Sequence, residues 1–283
     1  MSKFFNETQK ANQWAQQKLA NQDMDVKELL ESLKHGPGSD KQLADTRLSQ
    51  CRQVRVGNEN AARLVLHQGK ASRAALEAYR GLRTRLMRAQ AKTGLKSIAI
   101  TSSLPGEGKT LTTMNLGLCY AQLPQQRVLV IDADLRTCGL TSMLDHPSTL
   151  GLAEVLAGDV SPDEAIASTN QKNLFVLPAG TVLSSPPELF TGSRWQEFMG
   201  RCSELFKLIL IDTPPILPLA DFELISAACD GVVMVVRAHH GQRETLQKTA
   251  GVLDPKKLLG VVFNATDVSG KDYDGYGYGP GKS

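Results

Sequence analysis

The stretch Ser97-Ile-Ala-Ile-Thr-Ser-Ser-Leu-Pro-Gly-Glu-Gly-Lys-Thr110 decides the fold of this chain. It starts as a short apolar strand, turns through Gly106 and Gly108, and leads into a predicted helix over residues 111–122. The glycines allow backbone N–H groups to converge on phosphate oxygens, and a helix N-terminus adds a partial positive charge there. The stretch therefore predicts a phosphate-binding loop between a strand and a helix.

The two residues that close this loop carry the chemistry of nucleotide binding. The Lys109 ammonium can bridge the β- and γ-phosphates, and the Thr110 hydroxyl can reach Mg²⁺. The loop departs from the GxxxxGK[ST] pattern because Ser103 stands at the first glycine position. An ordinary strand–helix turn is the alternative interpretation, and the strand before and the helix after the loop argue against it.

Two further apolar runs end in aspartate. Residues 128–131 lead into Asp132 and Asp134, and residues 208–211 lead into Asp212. Ligands of open parallel sheets bind at the carboxyl ends of the strands, where these carboxylates would lie. The first pair suits Mg²⁺ coordination or acceptance of a proton from an attacking hydroxyl, and Asp212 suits a Walker-B carboxylate that holds Mg²⁺ through water. If the segment with Asp132 and Asp134 stood alone, we would interpret the two residues as helix-capping aspartates. The phosphate loop and the two strands that end in aspartate together predict a Mg·nucleotide site.

After Gly94 the chain alternates between short apolar runs and helical segments. The predicted strands cover residues 97–101, 128–131, 174–177, 208–211, 231–236 and 259–263. Short, continuously apolar strands that alternate with helices indicate a parallel sheet covered on both faces. We therefore predict an α/β fold of the P-loop NTPase type, with a mostly parallel sheet flanked by helices and preceded by an N-terminal helical extension.

Composition and charge narrow the class of protein. The 283 residues are 41% hydrophobic and 22% charged, which is too apolar for a disordered chain. The apolar runs are too short to span a membrane, and the start MSKFFNETQK lacks the apolar segment of a secretory signal. The five cysteines are scattered, so we expect a cytoplasmic protein with reduced thiols. His239-His240 is interpreted as a surface pair and not as a metal site.

The charge is distributed unevenly along the chain. Lys and Arg outnumber Asp and Glu by 18 to 9 in residues 1–96, but they are outnumbered by 14 to 20 in residues 97–283. A basic front part predicts an acidic partner, which can be nucleic acid, an anionic membrane or an acidic protein surface. No nucleic-acid recognition motif and no interleaved aromatic residues accompany the basic positions, so nothing beyond charge supports nucleic acid.

Three regions follow from these patterns. Residues 1–62 are predicted as an N-terminal helical and linker extension with at most one short strand, residues 63–265 as the main domain, and residues 266–283 as a flexible, Gly-rich tail. Residues 71–92 are predicted as one long helix at the start of the main domain. The apolar positions that share one face of this helix are Ala75, Tyr79, Leu82 and Leu86.

The quoted motifs resemble those of the bacterial tyrosine kinases (BY-kinases) of capsule and exopolysaccharide systems, in their cytoplasmic, chain-length-determinant-associated type. The resemblance extends over about residues 62–283. It rests on SSLPGEGKT, VLVIDADLR and LILIDTPP, on EAYRGLR at 77–83, which matches the ExxRxxR helix of the family, and on DGVVMVVR and GVVFNA downstream. The septum-site and partition ATPases share this deviant-Walker type of P-loop fold, but their loop reads KGGxGKT, with a signature lysine that is missing here.

The resemblance implies a protein-tyrosine autokinase that uses ATP and Mg²⁺. The γ-phosphate would pass in trans, within a homo-oligomeric ring, to tail tyrosines Tyr273, Tyr276 and Tyr278. The helix residues Glu77, Arg80 and Arg83 would form the subunit interface. The implied nucleotide-binding residues are Gly106, Glu107, Gly108, Lys109, Thr110, Leu111 and Asn264. The implied Mg²⁺ ligands are Thr110, Asp132 and Asp212, and the implied catalytic residues are Lys109, Asp132, Asp134 and Asp212.

The resemblance also implies partners and a place in the cell. A membrane polysaccharide co-polymerase, the chain-length-determinant protein, would activate the chain and recruit it to the inner face of the plasma membrane, and a tyrosine phosphatase would reverse the reaction. The basic charge of residues 70–96 would then serve an acidic surface of a neighbouring subunit and not nucleic acid. Two alternatives are a partition- or septum-site-like ATPase switch without kinase activity and a non-catalytic nucleotide-binding regulator.

Overall fold

The computed structural model describes residues 48, 51–57, 61, 64–65, 73–145, 149–181, 187–217 and 221–266. They belong to a compact unit that begins at Leu48. Most of the predicted extension and residues 267–283, which include the three tail tyrosines, lie outside the described residues. What the sequence predicts for those two segments therefore stays a prediction.

The described residues form one sheet of nine strands. The strands are β1 (Gln53–Val56), β2 (Ser97–Ser102), β3 (Val128–Asp132), β4 (Leu144–Asp145), β5 (Ala167–Thr169), β6 (Leu174–Leu177), β7 (Leu208–Asp212), β8 (Gly231–Arg237) and β9 (Leu258–Asn264). Their order across the sheet is β4-β1-β5-β6-β3-β7-β2-β8-β9. Only the β1–β4 and β5–β6 pairings are antiparallel, so the prediction of a mostly parallel sheet is confirmed.

The helices connect these strands and lie beside the sheet. They are α1 (Arg73–Thr93), α2 (Lys109–Ala121), α3 (Leu152–Ala157), α4 (Pro162–Ala165), α5 (Pro187–Phe190), α6 (Ser193–Leu205), α7 (Asp221–Ala227) and α8 (Arg243–Val252). A short 3₁₀ turn spans Thr141–Met143. The predicted helices over 71–92 and 111–122 are thus present as α1 and α2, with ends shifted by one or two residues.

The sheet separates two apolar cores, one on each of its faces. The central strands are therefore buried on both faces. In β2, Ile98 and Ile100 enter one core whereas Ala99 enters the other. The strands β3 and β7 divide their residues in the same alternating way, and every residue of all three strands is buried. This arrangement is the physical reason that the sequence shows these strands as continuous apolar runs and not as an alternating pattern.

All six predicted strands are present, and β1 agrees with the one short strand that the sequence allowed in the N-terminal extension. The two strands β4 and β5 were not predicted. The strand β1 lies within the segment predicted as an extension, yet it pairs with β5 and β4 in the main sheet. It has only four residues, and it alternates between exposed and buried positions. The strands β4 and β5 contain two and three residues. Strands this short leave no apolar run that a sequence pattern could detect.

Helix α1 packs against helix α2, which begins at the phosphate loop. Leu86 is buried, and Leu82 packs against the same apolar core, as the predicted helix face requires. The guanidinium of Arg83 donates to the Cys119 carbonyl oxygen over 2.7 Å. The Asn115 amide of α2 lies 3.4 Å from the Tyr79 hydroxyl. The predicted interface helix is therefore joined directly to the helix that carries Lys109 and Thr110.

Candidate functional site

The loop between β2 and α2 has the backbone of an anion-binding turn. Gly106 and Gly108 have φ angles of 81° and 95°, in the left-handed region that glycine adopts without strain. A Cβ atom at Gly108 would come within 2.1 Å of the Asn264 side-chain nitrogen, so no other residue can replace this glycine without movement. Gly108 is the N-cap of α2 and has no side chain that could accept a hydrogen bond from the helix. The first N–H groups of the helix therefore have no capping side chain and are available to an anion.

Lys109 lies in a buried cluster of carboxylates. Its Nζ atom is 2.8 Å from Asp134 Oδ2 and 3.8 Å from Asp212 Oδ1. Although burial alone lowers the pKa of Lys109, the charges of Asp212 and Asp134 raise it by more, so the ammonium stays protonated. The opposite holds for Asp134, where the neighbouring Lys109 overcomes burial and lowers the pKa of the carboxyl. The sequence-predicted lysine and two of the predicted aspartates are therefore brought together.

Asp132 stands opposite Asp212 on the adjacent strands β3 and β7. Its Oδ2 atom accepts two hydrogen bonds from Thr141, from the backbone N–H over 2.8 Å and from the hydroxyl over 2.7 Å. Burial and the charge of Asp212 raise the pKa of the Asp132 carboxyl above its usual range. When it is ionised, a carboxylate of raised pKa is a stronger base than an ordinary aspartate.

Asp212 is fully buried and has one carboxylate oxygen without a donor. Its Oδ1 atom lies 3.5 Å from the Thr113 hydroxyl, but no donor in the described part of the chain reaches Oδ2. Burial raises the pKa of this carboxyl against the opposing effect of Lys109. An unsatisfied buried oxygen costs free energy unless a ligand or water fills its coordination. The Asp212 carboxylate is therefore suited to bind Mg²⁺, either directly or through a water molecule.

The residues present fit a nucleotide-bound magnesium ion. The hydroxyl of Thr110, at the start of α2, and the free Oδ2 atom of Asp212 are hard oxygen ligands of the kind that Mg²⁺ prefers. Among the described residues no group of three or more His, Cys, Asp and Glu side chains forms a metal cluster, so phosphate oxygens would have to complete the coordination. Asp132 remains a predicted ligand, and its oxygens would have to exchange the hydrogen bonds from Thr141.

The other predicted nucleotide-binding residues lie on or against the loop. Glu107 is buried, and its Oε2 atom accepts a hydrogen bond from the Leu104 N–H over 2.8 Å. This hydrogen bond links two parts of the loop. Leu111 is partly buried and packs against the apolar core. Asn264, at the end of β9, donates to the Glu107 carbonyl oxygen over 2.9 Å. The predicted role of Asn264 at the adenine ring stays a prediction.

The predicted interface residues have different environments. Arg80 donates to Glu77 over 2.7 Å, and both side chains are more than two-fifths exposed. Arg83 is partly buried, and its guanidinium donates to the Cys119 carbonyl oxygen. Glu77 and Arg80 are therefore available to a neighbouring subunit, whereas Arg83 also stabilises the packing of α1 on α2. Their predicted role in assembly stays a prediction.

Three threonines of the site were missed by the sequence analysis. Thr141 holds Asp132 and accepts a hydrogen bond from the Ala179 N–H over 2.8 Å. Thr113 lies beside Asp212, and the Thr137 N–H donates to Asp134 over 3.1 Å. The position of Thr113, one helical turn after Lys109, was a usable signal. Thr141 follows Asp132 by nine residues through an irregular segment, so no periodic pattern marked it.

The fold and the site define a nucleotide-binding domain with a P-loop and two strand-end aspartates. A family model described as "AAA domain" matches residues 95–252. Tyrosine-protein kinase YwqD of Bacillus subtilis is 34% identical over 204 residues, which cover 71% of this chain and 85% of that protein. The chimerical protein CapA2B2 superposes with a TM-score of 0.66 at 28% identity, covering 79% of this chain and 97% of that one.

The kinase domain of the Escherichia coli tyrosine kinase ETK is similar as well. It superposes with a TM-score of 0.64 at 25% identity, covering 84% of this chain and 97% of that domain. The chain belongs to the bacterial tyrosine-protein kinases, a family with the AAA type of P-loop domain. The resemblance and the P-loop α/β fold expected from the sequence are thus confirmed. None of the described helices is both long and apolar enough to cross a membrane.

Proposed function

We propose that the chain transfers the γ-phosphate of ATP to tyrosine hydroxyls of its own C-terminal tail, in trans, within a homo-oligomeric ring. The observation that carries the proposal is the buried cluster of Lys109, Asp134 and Asp212 at the phosphate loop of a tyrosine-kinase family member. The acceptors would be Tyr273, Tyr276 and Tyr278, which lie within the last eleven residues.

Each residue of the site would have a role in this reaction. The loop N–H groups and Lys109 would bind the phosphates, so Lys109 would exchange its contact with Asp134 for phosphate oxygens. Asp132 would accept the proton of the tyrosine hydroxyl as the new O–P bond forms, with Asp134 in support, while the bond to ADP breaks and ADP leaves. Thr110 and Asp212 would hold Mg²⁺, which supplies charge neutralisation to the phosphates when bound. Catalysis would rest mainly on positioning and charge stabilisation.

The proposal extends to partners and to the cell. The reaction would regulate the polymerisation, chain length or export of an exopolysaccharide or capsule. A membrane polysaccharide co-polymerase would activate the cytoplasmic chain and recruit it to the membrane, and a tyrosine phosphatase would reset it. The sequence similarity to the tyrosine-protein kinases named CpsD and CapB supports this part of the proposal.

The assay is the appearance of phosphotyrosine on the purified full-length chain with Mg·ATP, with and without the cytoplasmic segment of the membrane partner. Two variants accompany it, Lys109→Met and the triple change Tyr273→Phe, Tyr276→Phe and Tyr278→Phe. We expect phosphotyrosine on the wild-type chain and none on either variant. Hydrolysis of ATP without phosphotyrosine under every condition would contradict the proposal and support an ATPase switch.

A further inference from the structure

Three consecutive carbonyl groups of the phosphate loop are each bound by a side chain from one edge of the sheet. His240 Nε2 lies 3.2 Å from the Pro105 oxygen, Arg237 Nη1 lies 3.3 Å from the Gly106 oxygen, and Asn264 Nδ2 lies 2.9 Å from the Glu107 oxygen. Because a carbonyl oxygen can only accept, Nε2 of His240 carries the proton in this contact.

The three side chains come from neighbouring positions of the fold. Arg237 ends β8 and Asn264 ends β9, and the two residues are direct partners in the parallel pairing of these strands. His240 follows in the turn that leads from β8 to α8, where its N–H donates to the Arg237 carbonyl over 3.3 Å. One strand pair and its turn therefore present all three groups to the same side of the loop.

The orientation of a carbonyl group fixes the orientation of the next N–H group. In a planar trans peptide the two point in opposite directions. Holding the carbonyl oxygens of Pro105, Gly106 and Glu107 outward thus turns the N–H groups of the following residues to the opposite side. Those N–H groups belong to Gly106, Glu107 and Gly108, which are three of the loop residues expected to bind phosphate. Because Gly106 and Gly108 can adopt many backbone conformations, these peptides could rotate if nothing held them.

We propose that Arg237, His240 and Asn264 form a carbonyl clamp that positions the phosphate loop for ATP. They are positioning residues, since they act through the loop backbone and not on the reacting atoms. The clamp lowers the cost of ordering the loop N–H groups when phosphate binds. The proposal rests on the proposed function, in which this loop binds the phosphates of ATP, and it adds residues that the loop motif itself does not include.

Inorganic tripolyphosphate separates a role at the phosphates from a role at the base. It has no adenine, so its dissociation constant reports on the loop alone. We expect Arg237→Met, His240→Leu and Asn264→Leu each to weaken the full-length chain's affinity for tripolyphosphate and for Mg·ATP by the same factor, about 3- to 10-fold for one lost hydrogen bond. His240→Gln, whose amide can place a donor near the position of Nε2, should restore most of the affinity.

The controls distinguish the clamp from general effects of charge or stability. Arg243, at the exposed start of α8, carries the same charge as Arg237. The variant Arg243→Met should change both dissociation constants by less than twofold. The melting temperature of the ligand-free chain should be the same for His240→Leu and His240→Gln, because residue 240 is exposed.

Calorimetric titration of each chain with tripolyphosphate and with Mg·ATP gives the decisive comparison. Wild-type affinity for tripolyphosphate in the Arg237→Met and His240→Leu chains would overturn the clamp, as would an equal loss in Arg243→Met or no recovery in His240→Gln. If Asn264→Leu weakened only Mg·ATP, Asn264 would be an adenine contact and the clamp as proposed would be wrong. Failure of the wild-type chain to bind either ligand would instead contradict the proposed nucleotide site itself.

Discussion

The ammonium group of Lys109 lies 2.8 Å from a carboxylate oxygen of Asp134, and the two side chains are only 10% and 2% exposed. The lysine that should bind ATP phosphates is thus paired with an acidic residue of the same site. Binding of ATP has to replace this ion pair with contacts to phosphate. The ion pair keeps the Lys109 ammonium buried among the carboxylates of Asp134, Asp212 and Asp132, so we expect the stability of the chain to depend on it.

Lys109→Met should destabilise the chain in a pH-dependent way. Removing one partner of a buried ion pair leaves uncompensated charge, so we expect the free energy of unfolding to fall by about 3 kcal/mol at pH 7.5. In the wild type Lys109 lowers the pKa of Asp134, so this stabilisation is present above the ordinary aspartate pKa of about 3.9 and is lost as the pH falls further. In the variant the buried carboxyls take up protons already at higher pH.

Urea unfolding of both chains at pH 7.5 and pH 5.0 measures this difference. The difference in the free energy of unfolding between the two chains should be smaller at pH 5.0, because protonation of the buried carboxyls relieves the uncompensated charge of the variant. Lys109→Arg is the matched control, since it keeps the charge and should keep most of the stability. An equal loss of stability for Lys109→Met at both pH values would contradict the electrostatic account.

Asp212→Asn should stabilise the ligand-free chain while it weakens Mg·ATP binding. Burial raises the pKa of Asp212, so the charged carboxylate is unfavourable in the folded state at any pH above the unfolded value. Replacing it with a neutral amide should raise the free energy of unfolding by about 1–3 kcal/mol at pH 7.5. The gain should disappear below about pH 4, where the wild-type carboxyl is protonated in both states.

Thermal unfolding without ligand and titration with Mg·ATP measure the two effects of Asp212→Asn. We expect the variant to be more stable without ligand and to bind Mg·ATP more weakly. The unsatisfied Oδ2 atom destabilises the ligand-free fold and becomes favourable only when it binds a ligand. A variant that is less stable than the wild type at pH 7.5 and still binds Mg·ATP normally would contradict this role.

Thr141→Val should lower the turnover number and leave the Michaelis constant for ATP nearly unchanged. The hydroxyl donates to Asp132 and accepts from the Ala179 N–H, so the variant loses both contacts. We expect kcat to fall about tenfold, since one tenfold step corresponds to about 1.4 kcal/mol, and the unfolding free energy to fall by about 1–2 kcal/mol. Thr141→Ser keeps the hydroxyl and should recover kcat in initial-rate assays. A similar kcat for Thr141→Val and the wild type would show that Thr141 does not position Asp132.

The double variant Glu77→Ala and Arg80→Ala should remain folded and bind ATP but lose assembly. The two side chains form an exposed pair, which contributes only about 0–1 kcal/mol to stability. We expect the mass by light scattering to fall to that of a monomer and autophosphorylation to become weak. Arg83 is left intact because it also donates to the Cys119 carbonyl. Arg85→Ala, an exposed change on the same helix, is the control, and an unchanged mass for the double variant would contradict the interface.

The sequence was sufficient for the central sheet and for the ends of its strands. The strands β3 and β7 are continuously apolar and end in Asp132 and Asp212, so both the strands and their carboxylates could be located from the pattern. Loop residues such as Gly108 and Lys109 were found because phosphate binding requires a specific combination of backbone freedom and charge at fixed spacing. Local requirements of this kind are visible in one sequence.

The parts that could not be predicted depend on contacts between distant segments. Thr141 meets Asp132 only after the chain has turned through an irregular stretch, and β1 pairs with β5 across more than a hundred residues. The side chain of His240 reaches a loop carbonyl 135 residues earlier. Each of these contacts involves a single polar residue or a very short strand, so no periodic pattern in the sequence predicts it.

A mixing experiment tests directly whether one subunit phosphorylates the tail of another. A Lys109→Met chain with an intact tail is combined, in the presence of Mg·ATP, with a second chain. This second chain keeps Lys109, but its Tyr273, Tyr276 and Tyr278 are changed to Phe. Mass spectrometry then locates phosphotyrosine on each chain. Neither chain should be modified alone, and in the mixture phosphotyrosine should appear on the tail of the Lys109→Met chain. An unmodified tail in the mixture, under conditions in which the wild-type chain hydrolyses ATP, would contradict the account.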